Sequence, residues 1–309
     1  MTGQATPKQD ILTMTDAAQS AQMTTGAGFI AALDQSGGST PKALGLYGIA
    51  DGSWADDAQM FDMIHDMRAR IAQAPAFTGD KVIGAILFAQ TMDRDIAGKP
   101  AARFLWEDRH VVPFLKIDQG LQEPADGVRL LKDMPGLDAL LDRAVANGIF
   151  GTKARSVIDA ANPRGIAQVV AQQFDVGLQV LARGLVPILE PEVTITAPDK
   201  AQAEAMLLTA IHKNLDILPD GQRVMLKLTL PDAADLYAPL VADPRVMRVV
   251  ALSGGYDRTE ANRRLALNHG IIASFSRALT EGLSVDQSDT AFNATIAATI
   301  DSICAASNC

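Results

Sequence analysis

Short apolar runs alternate with longer amphipathic stretches along the 309-residue chain, the rhythm of repeated βα units. The runs are GFIAALDQ (28–35), VIGAILFA (82–89), VVPFLKID (111–118), GIFGTKARSVI (148–158), LVPILEPEV (185–193), RVMLKLTL (223–230), VMRVVALSGG (246–255) and IIASFSRAL (271–279). Helical periodicity follows in Asp56–Gln73, Pro163–Ala182, Lys200–Asn214, Thr259–Asn268 and Asp289–Ile303. Residues 90–107 show no clear period, and an amphipathic segment, Lys8–Met23, precedes the first run. Eight strands alternating with helices predict an α/β fold, a (β/α)8 TIM barrel with an additional N-terminal helix. A doubly wound open sheet is the competing architecture, but no strand is followed by a GxGxxG or P-loop pattern. No linker, low-complexity tract or repeat divides the chain. It is therefore read as one barrel domain over 1–309, with 1–27 a helical extension and 280–309 a C-terminal helix and short tail.

The charged residues within these runs come late, near the carboxyl ends: Asp34, Lys116, Asp118, Lys153, Arg155, Glu190, Glu192 and Lys227, with Ser253 and Arg277 on the last two. A barrel builds its active site from that face. Residues two apart on a strand share a direction, so Lys116 points with Asp118, Lys153 with Arg155, and Glu190 with Glu192. If Leu226, Leu228 and Leu230 face the outer helices, Lys227 faces the mouth, as do Met225 and Thr229. Any one of these charges alone could end its strand in solvent or in a structural ion pair. Together they put three lysines, an arginine and several carboxylates into one concavity, the arrangement in which charges shift one another's proton affinity. A lysine amine is protonated and inert at neutral pH. Desolvation and nearby cations favour the neutral amine, which attacks a carbonyl to form a Schiff base. The iminium withdraws electrons from a neighbouring carbon–carbon bond, while carboxylates such as Glu190 and Asp34 move the protons.

Anion sites are legible too. LSGGYDRTEA places Ser253, Gly254 and Gly255 between strand seven and a helix start, where backbone N–H groups can approach an anion. Barrels bind phosphate after strands seven and eight, and Arg277 is a natural partner. Across the mouth, DQSGGST supplies Ser36, Gly37, Gly38 and Ser39, and with Lys116 could hold a second phosphate.

Composition narrows the class. The chain is 48% apolar and 20% charged, as in ordinary globular proteins. A net charge of −9 without a basic cluster argues against nucleic acid or an anionic membrane as partner. The N-terminus lacks a signal-peptide pattern, and no apolar run approaches the roughly 18 residues that span a bilayer, so a cytoplasmic protein is expected. Cys304 and Cys309 fit neither a zinc site nor a redox motif. His65, His110, His212 and His269 form no pairing that would hold zinc. No metal and no cofactor are expected.

The stretches AALDQSGGSTPKAL, VPFLKIDQGL, GTKARSVI, GLVPILEPEV, MLKLTLP and ALSGGYDRTEANRRLA resemble, in order, the signatures of class I fructose-bisphosphate aldolases, closest to the shorter bacterial branch. The resemblance runs from about Gly28 to Leu279. It implies a TIM barrel and reversible, metal-independent cleavage of fructose 1,6-bisphosphate into dihydroxyacetone phosphate and glyceraldehyde 3-phosphate. It also implies Lys227 as the Schiff-base lysine, Glu190 as acid/base with Glu192 in support, and Asp34 at the C4 hydroxyl. Lys153, with Arg155 beside it, would assist carbinolamine turnover. Ser253, Gly254, Gly255 and Arg277 would hold the C1 phosphate, and Ser36, Ser39 and Lys116 the other. The partner expected is a small phosphorylated sugar, and a homo-oligomer stays open. Animal members follow the lysine with Pro-Asn-Met, where this chain has Leu228, Thr229 and Leu230. They carry an arginine where this chain has Ala43, and a terminal tyrosine that helps protonate the enamine, whereas the last tyrosine here is Tyr256. Two alternatives remain: a Schiff-base aldolase of another sugar phosphate, such as sedoheptulose 1,7-bisphosphate, and a non-catalytic sugar-phosphate-binding barrel.

Overall fold

The computed structural model describes residues 17–308. Its eight main strands are β1 Phe29–Leu33, β2 Val82–Leu87, β3 Val112–Lys116, β4 Gly151–Ile158, β5 Val186–Val193, β6 Val224–Thr229, β7 Val246–Leu252 and β8 Ile272–Ala273. Each pairs in parallel with the next in chain order. The Ala32 N–H donates to Phe275 O at 3.1 Å across the seam between the last strand and the first. This is the (β/α)8 barrel expected from the run pattern, and every predicted run contains one of these strands.

The strands are apolar on both faces because helices cover the outside and side chains fill the inside. Ile30, Ile86, Phe114, Ile188, Met225 and Val250 pack in the interior, whereas Leu226, Leu228 and Leu230 belong to the outer core. That split is the alternation argued for β6, and it leaves Lys227 on the inner side. The helices include α1 (17–25), α2 Thr40–Leu46, α3 Asp57–Gln73, α4 Leu137–Ala146, α5 Pro163–Leu181, α6 Lys200–Leu215, α7 Arg258–Leu265 and α8 Asp289–Ser307. Four of them, α3, α5, α7 and α8, start on a side-chain cap. Asn162 accepts from the backbone N–H groups of Arg164 and Gly165 just before Pro163, and Asp56 accepts from Gln59 N–H, satisfying donors that have no partner within the helix.

Helix α1 closes the amino-terminal end of the barrel. Met23 is buried in the interior core, and Gln22 Nε2 donates to Ile83 O at 2.8 Å and His110 O at 2.7 Å. Arg248 donates to Met23 O at 3.0 Å and Gly26 O at 3.1 Å, supplying donors to carbonyls at the helix end. Of the predicted helix Lys8–Met23, residues 8–16 lie outside the described residues.

Two expectations need correction. The run 271–279 is not one strand: β8 ends at Ala273, and Arg277–Thr280 form a helical turn. Arg277 therefore opens that turn rather than sitting on strand eight. A short apolar run reads the same as strand or buried helix; here Ala278 and Leu279 are buried as turn residues. The unassigned stretch resolves into a turn of helix at Ala89–Met92, a hairpin pairing Asp95–Ile96 with Lys99–Pro100, and a helical segment ending in the π-helical turn Phe104–Asp108.

Candidate active site

The carboxyl ends of the strands surround a cavity of about 590 Å³, within the range of small-molecule sites. Asp34, Ser36, Ser39, Lys116, Lys153, Arg155, Glu190, Glu192, Lys227, Ser253, Gly254 and Arg277 line it. Of the residues singled out above, Gly255, Met225 and Thr229 do not line it: Met225 packs in the interior core below, and the buried Thr229 hydroxyl donates to Val193 O at 2.7 Å.

The floor is a chain of buried charges. Lys227 is 4% exposed, and its Nζ lies 3.0 Å from Glu190 Oε1. The other carboxylate oxygen, Oε2, meets Lys153 Nζ at 2.8 Å, and Lys153 Nζ meets Asp34 Oδ2 at 2.6 Å. Burial opposes the charged form of each carboxylate. The lysines outweigh it, Lys153 first and Lys227 next, and hold both Asp34 and Glu190 below the usual carboxylate range. Burial likewise opposes the Lys153 ammonium, yet Asp34 and Glu190 push its pKa above the lysine range. Two further pairs lie nearer the rim. Lys116 is paired with Asp118, whose other oxygen accepts from the Arg155 N–H at 3.1 Å, and Arg155 is paired with Glu192. Burial and the neighbouring Lys153 lower the Lys116 pKa despite Asp118. Strand register explains this grouping: Lys116 lies opposite Lys153, and Arg155 opposite Glu190.

The loop after β7 needs its glycines. Gly254 has φ +62°, and a Cβ there would fall 2.6 Å from Ile195 Cγ2; at Gly255, φ is +122° and a Cβ would lie 3.3 Å from Arg277 Nη2. Side chains are strained at such φ values, so glycine keeps the backbone close under the Arg277 guanidinium. Arg277 is exposed and has no carboxylate partner among the described residues. On the opposite rim, Ser36 and Ser39 are drawn together by the Ser39 hydroxyl, which accepts from Ser36 N–H at 2.9 Å. Gln35 Nε2 donates to Ser276 Oγ at 2.9 Å, joining the loops that carry the two anion-site candidates.

This chain is 55% identical to the class 1 fructose-bisphosphate aldolase of Synechocystis over 91% of its length and 93% of the relative's. It is 53% identical to that of Porphyromonas gingivalis over 93% and 97%, and 52% identical to that of Clostridium acetobutylicum over 91% and 95%. The chain belongs to the class 1 fructose-bisphosphate aldolases. A solved fructose-bisphosphate aldolase from Plasmodium falciparum shares the fold, with a TM-score of 0.78 over 96% of this chain and 95% of that one, at 18% identity. No protein-family model matches the chain.

Sequence reasoning passed over several residues at the mouth of this aldolase. Lys42, in the first turn of α2, lines the cavity with Gln35, Ser274, Ser276 and Thr280. Behind the wall, the Arg68 side chain on α3 is buried at 1% exposure, donating to Gln35 O and to Thr91 Oγ1 at 2.8 Å. Burial brings its pKa down to about 10 although Asp34 opposes that shift. Arg68 thus pins the backbone directly after Asp34. Its sequence signal was an arginine on the buried side of an amphipathic helix, next to Met67 and Ile71.

Proposed function

We propose that Lys227 forms the Schiff base of this aldolase with fructose 1,6-bisphosphate at C2, and that Glu190, Lys153 and Asp34 move its protons. The observation that carries this reading is the Lys227–Glu190 contact at 3.0 Å inside a buried, charge-balanced cluster. Glu190 takes a proton from the Lys227 ammonium, and the freed amine attacks the carbonyl. After proton transfer from nitrogen to oxygen gives the carbinolamine, Glu190 returns its proton to the departing hydroxyl, leaving the iminium and water. Asp34 takes the C4 hydroxyl proton as the C3–C4 bond breaks, and the iminium receives the electron pair. Lys153 holds both carboxylates ionised and in place, and Glu192 steadies Arg155. Ser253, Gly254, Gly255 and Arg277 bind the C1 phosphate, with Ser36, Ser39 and Lys116 at the distal one. Lys227→Ala is expected to abolish cleavage, and borohydride with dihydroxyacetone phosphate to leave an adduct that maps to Lys227. Full activity in the alanine variant, or cleavage removed by a chelator, would sink the reading.

A second substrate has its own support. Beyond Lys116 the cleft opens into a further cavity of about 560 Å³, walled by Phe88, Ala89, Leu140 and Arg143. Sedoheptulose 1,7-bisphosphate extends the aldehyde half by one carbon and has room there. Filling the space with Leu140→Trp should then lower kcat/KM for the longer bisphosphate more than for the shorter; equal losses would count against it. A cytoplasmic location and action as a single barrel domain belong to the same proposal. Among the described residues no helix is long and apolar enough to cross a membrane.

A further inference from the structure

Once the C3–C4 bond has broken, its electron pair lies in the enamine, and C3 must gain a proton before the product can leave. C3 is two bonds from the imine nitrogen, so its acid must reach the neighbourhood of Lys227 Nζ. The chain's three tyrosines are engaged elsewhere. Tyr47 accepts from Arg70 Nη1 at 3.1 Å and meets Phe292 edge-on. Tyr237 is buried in the outer core, and Tyr256 lies beneath the Arg264 guanidinium. Helix α8 runs toward the amino-terminal end of the barrel, where Asn308 Oδ1 accepts from Gly28 N–H at 3.1 Å. Among the cleft carboxylates, Asp118 and Glu192 are occupied by Lys116 and Arg155, whereas Glu190 is in contact with Lys227.

We propose that Glu190 delivers the proton to C3 and is recharged by Asp34 through Lys153. This rests on Lys227 being the Schiff-base lysine. The links are the 2.8 Å contact from Glu190 Oε2 to Lys153 Nζ and the 2.6 Å contact from Lys153 Nζ to Asp34 Oδ2. Protons and electrons balance along it. The C4 hydroxyl gives its proton to Asp34 and becomes the aldehyde carbonyl, while the C3–C4 pair forms the enamine and neutralises the iminium. Lys153 passes one of its protons to Glu190 and takes the one held by Asp34. The enamine nitrogen then pushes its pair back, C3 bonds the proton from Glu190, and the iminium is restored for hydrolysis. At the end Asp34 and Glu190 are ionised and Lys153 is an ammonium, as at the start. No tyrosine is required.

The test separates this step from imine formation. Dihydroxyacetone phosphate is incubated with the enzyme in D2O, deuterium entry at the carbon derived from C3 is followed by NMR, and borohydride measures the adduct at Lys227. Exchange is expressed per adduct. General acid–base groups contribute typically about 100-fold or more, so Glu190→Gln should lower that ratio about 100-fold, and Lys153→Gln should lower it about 10-fold by breaking the relay. Tyr256→Phe should match wild type. Should Glu190→Gln form no adduct, Glu190→Asp keeps the acid one methylene short, and a fall of at least about 10-fold in its ratio supports the proposal. An unchanged ratio in the Glu190 variant that forms adduct, or in Lys153→Gln, overturns it, as does a collapse in Tyr256→Phe. Absence of any adduct at Lys227 in the wild type overturns the Schiff-base reading instead.

Discussion

Lys153 is the residue whose removal should be felt most, in stability as well as in turnover. It sits between Asp34 and Glu190 at 2.6 and 2.8 Å. At an effective dielectric constant of about 20, each contact is worth about 6 kcal/mol of attraction, against several kcal/mol to desolvate the ammonium. Lys153→Met keeps much of the stem and deletes the charge, leaving Glu190 in contact with Lys227 alone and Asp34 with no ion-pair contact among the described residues. Removing one partner of a buried pair costs about 3–5 kcal/mol, and with Asp34 left unpaired and Glu190 left with one of its two lysines the upper end is expected at pH 8.

The pH dependence gives the test its edge. In the wild type both carboxyls have lowered pKa values, so their contribution is present above the unfolded values near pH 4 and is lost as pH falls through the folded ones. In the variant the folded values rise above the unfolded ones. The native state then binds a proton that the unfolded chain does not hold, and stability falls as pH climbs from about 4 toward the new folded value. The deficit should therefore be about 4–5 kcal/mol at pH 8 and visibly smaller at pH 5. Urea unfolding followed by the fluorescence of Trp54 and Trp106 measures it. A deficit under about 1 kcal/mol at pH 8, or the same deficit at both pH values, would refute the electrostatic account.

Arg277→Ala and Lys42→Ala should each raise KM by about 10- to 100-fold, the worth of a charge-assisted hydrogen bond. With a substrate lacking the distal phosphate, only the Arg277 effect should persist; steady-state kinetics on the two substrates decides. Gly254→Ala forces a side chain to φ +62° against Ile195. About 1–3 kcal/mol of strain should weaken substrate binding, and titration calorimetry with dihydroxyacetone phosphate would expose a normal affinity. Arg248→Met removes donors from the end of α1 at the far side of the barrel. It should cost about 1–3 kcal/mol of stability and leave kcat/KM unchanged, so a loss of activity in folded protein would contradict the division between the two faces.

Much of this layout was readable because barrel strands are covered on both faces and stand out as unbroken apolar runs. Alternation then aimed Lys227 inward from its leucine neighbours alone. The same uniformity concealed where β8 stops, since SFSRAL packs equally well as strand or as turn. What the sequence withheld were relations across elements. Lys153 could be assigned to the mouth, but its place between Asp34 and Glu190 depends on how neighbouring strands are staggered. Arg68 lies 34 positions beyond Asp34 on the apolar side of a helix, which marks it as buried but names no partner; its contact with Gln35 exists only because α3 packs behind the β1 loop. Lys42 was hidden for a similar reason, carried to the rim by a helix rather than by a strand.

The charges of the cleft explain how a protein of net charge −9 takes an anionic substrate. Lys227, Lys153, Lys116 and Arg155 are matched by Glu190, Asp34, Asp118 and Glu192 in contacts described above, so the inner cleft is close to neutral by itself. Such mutual pairing lets eight ionisable groups share one concavity without any of them being a bare buried charge. Lys42 and Arg277 also line the cavity, and among the described residues neither has a carboxylate partner. Both are exposed at the rim, one after β1 and one after β8. On the proposed reading, a bisphosphate meets unpaired positive charge at the rim and a charge-balanced cluster beneath it. On that reading, phosphate affinity rests first on Lys42 and Arg277, and only Lys116 serves both the distal phosphate and the paired cluster.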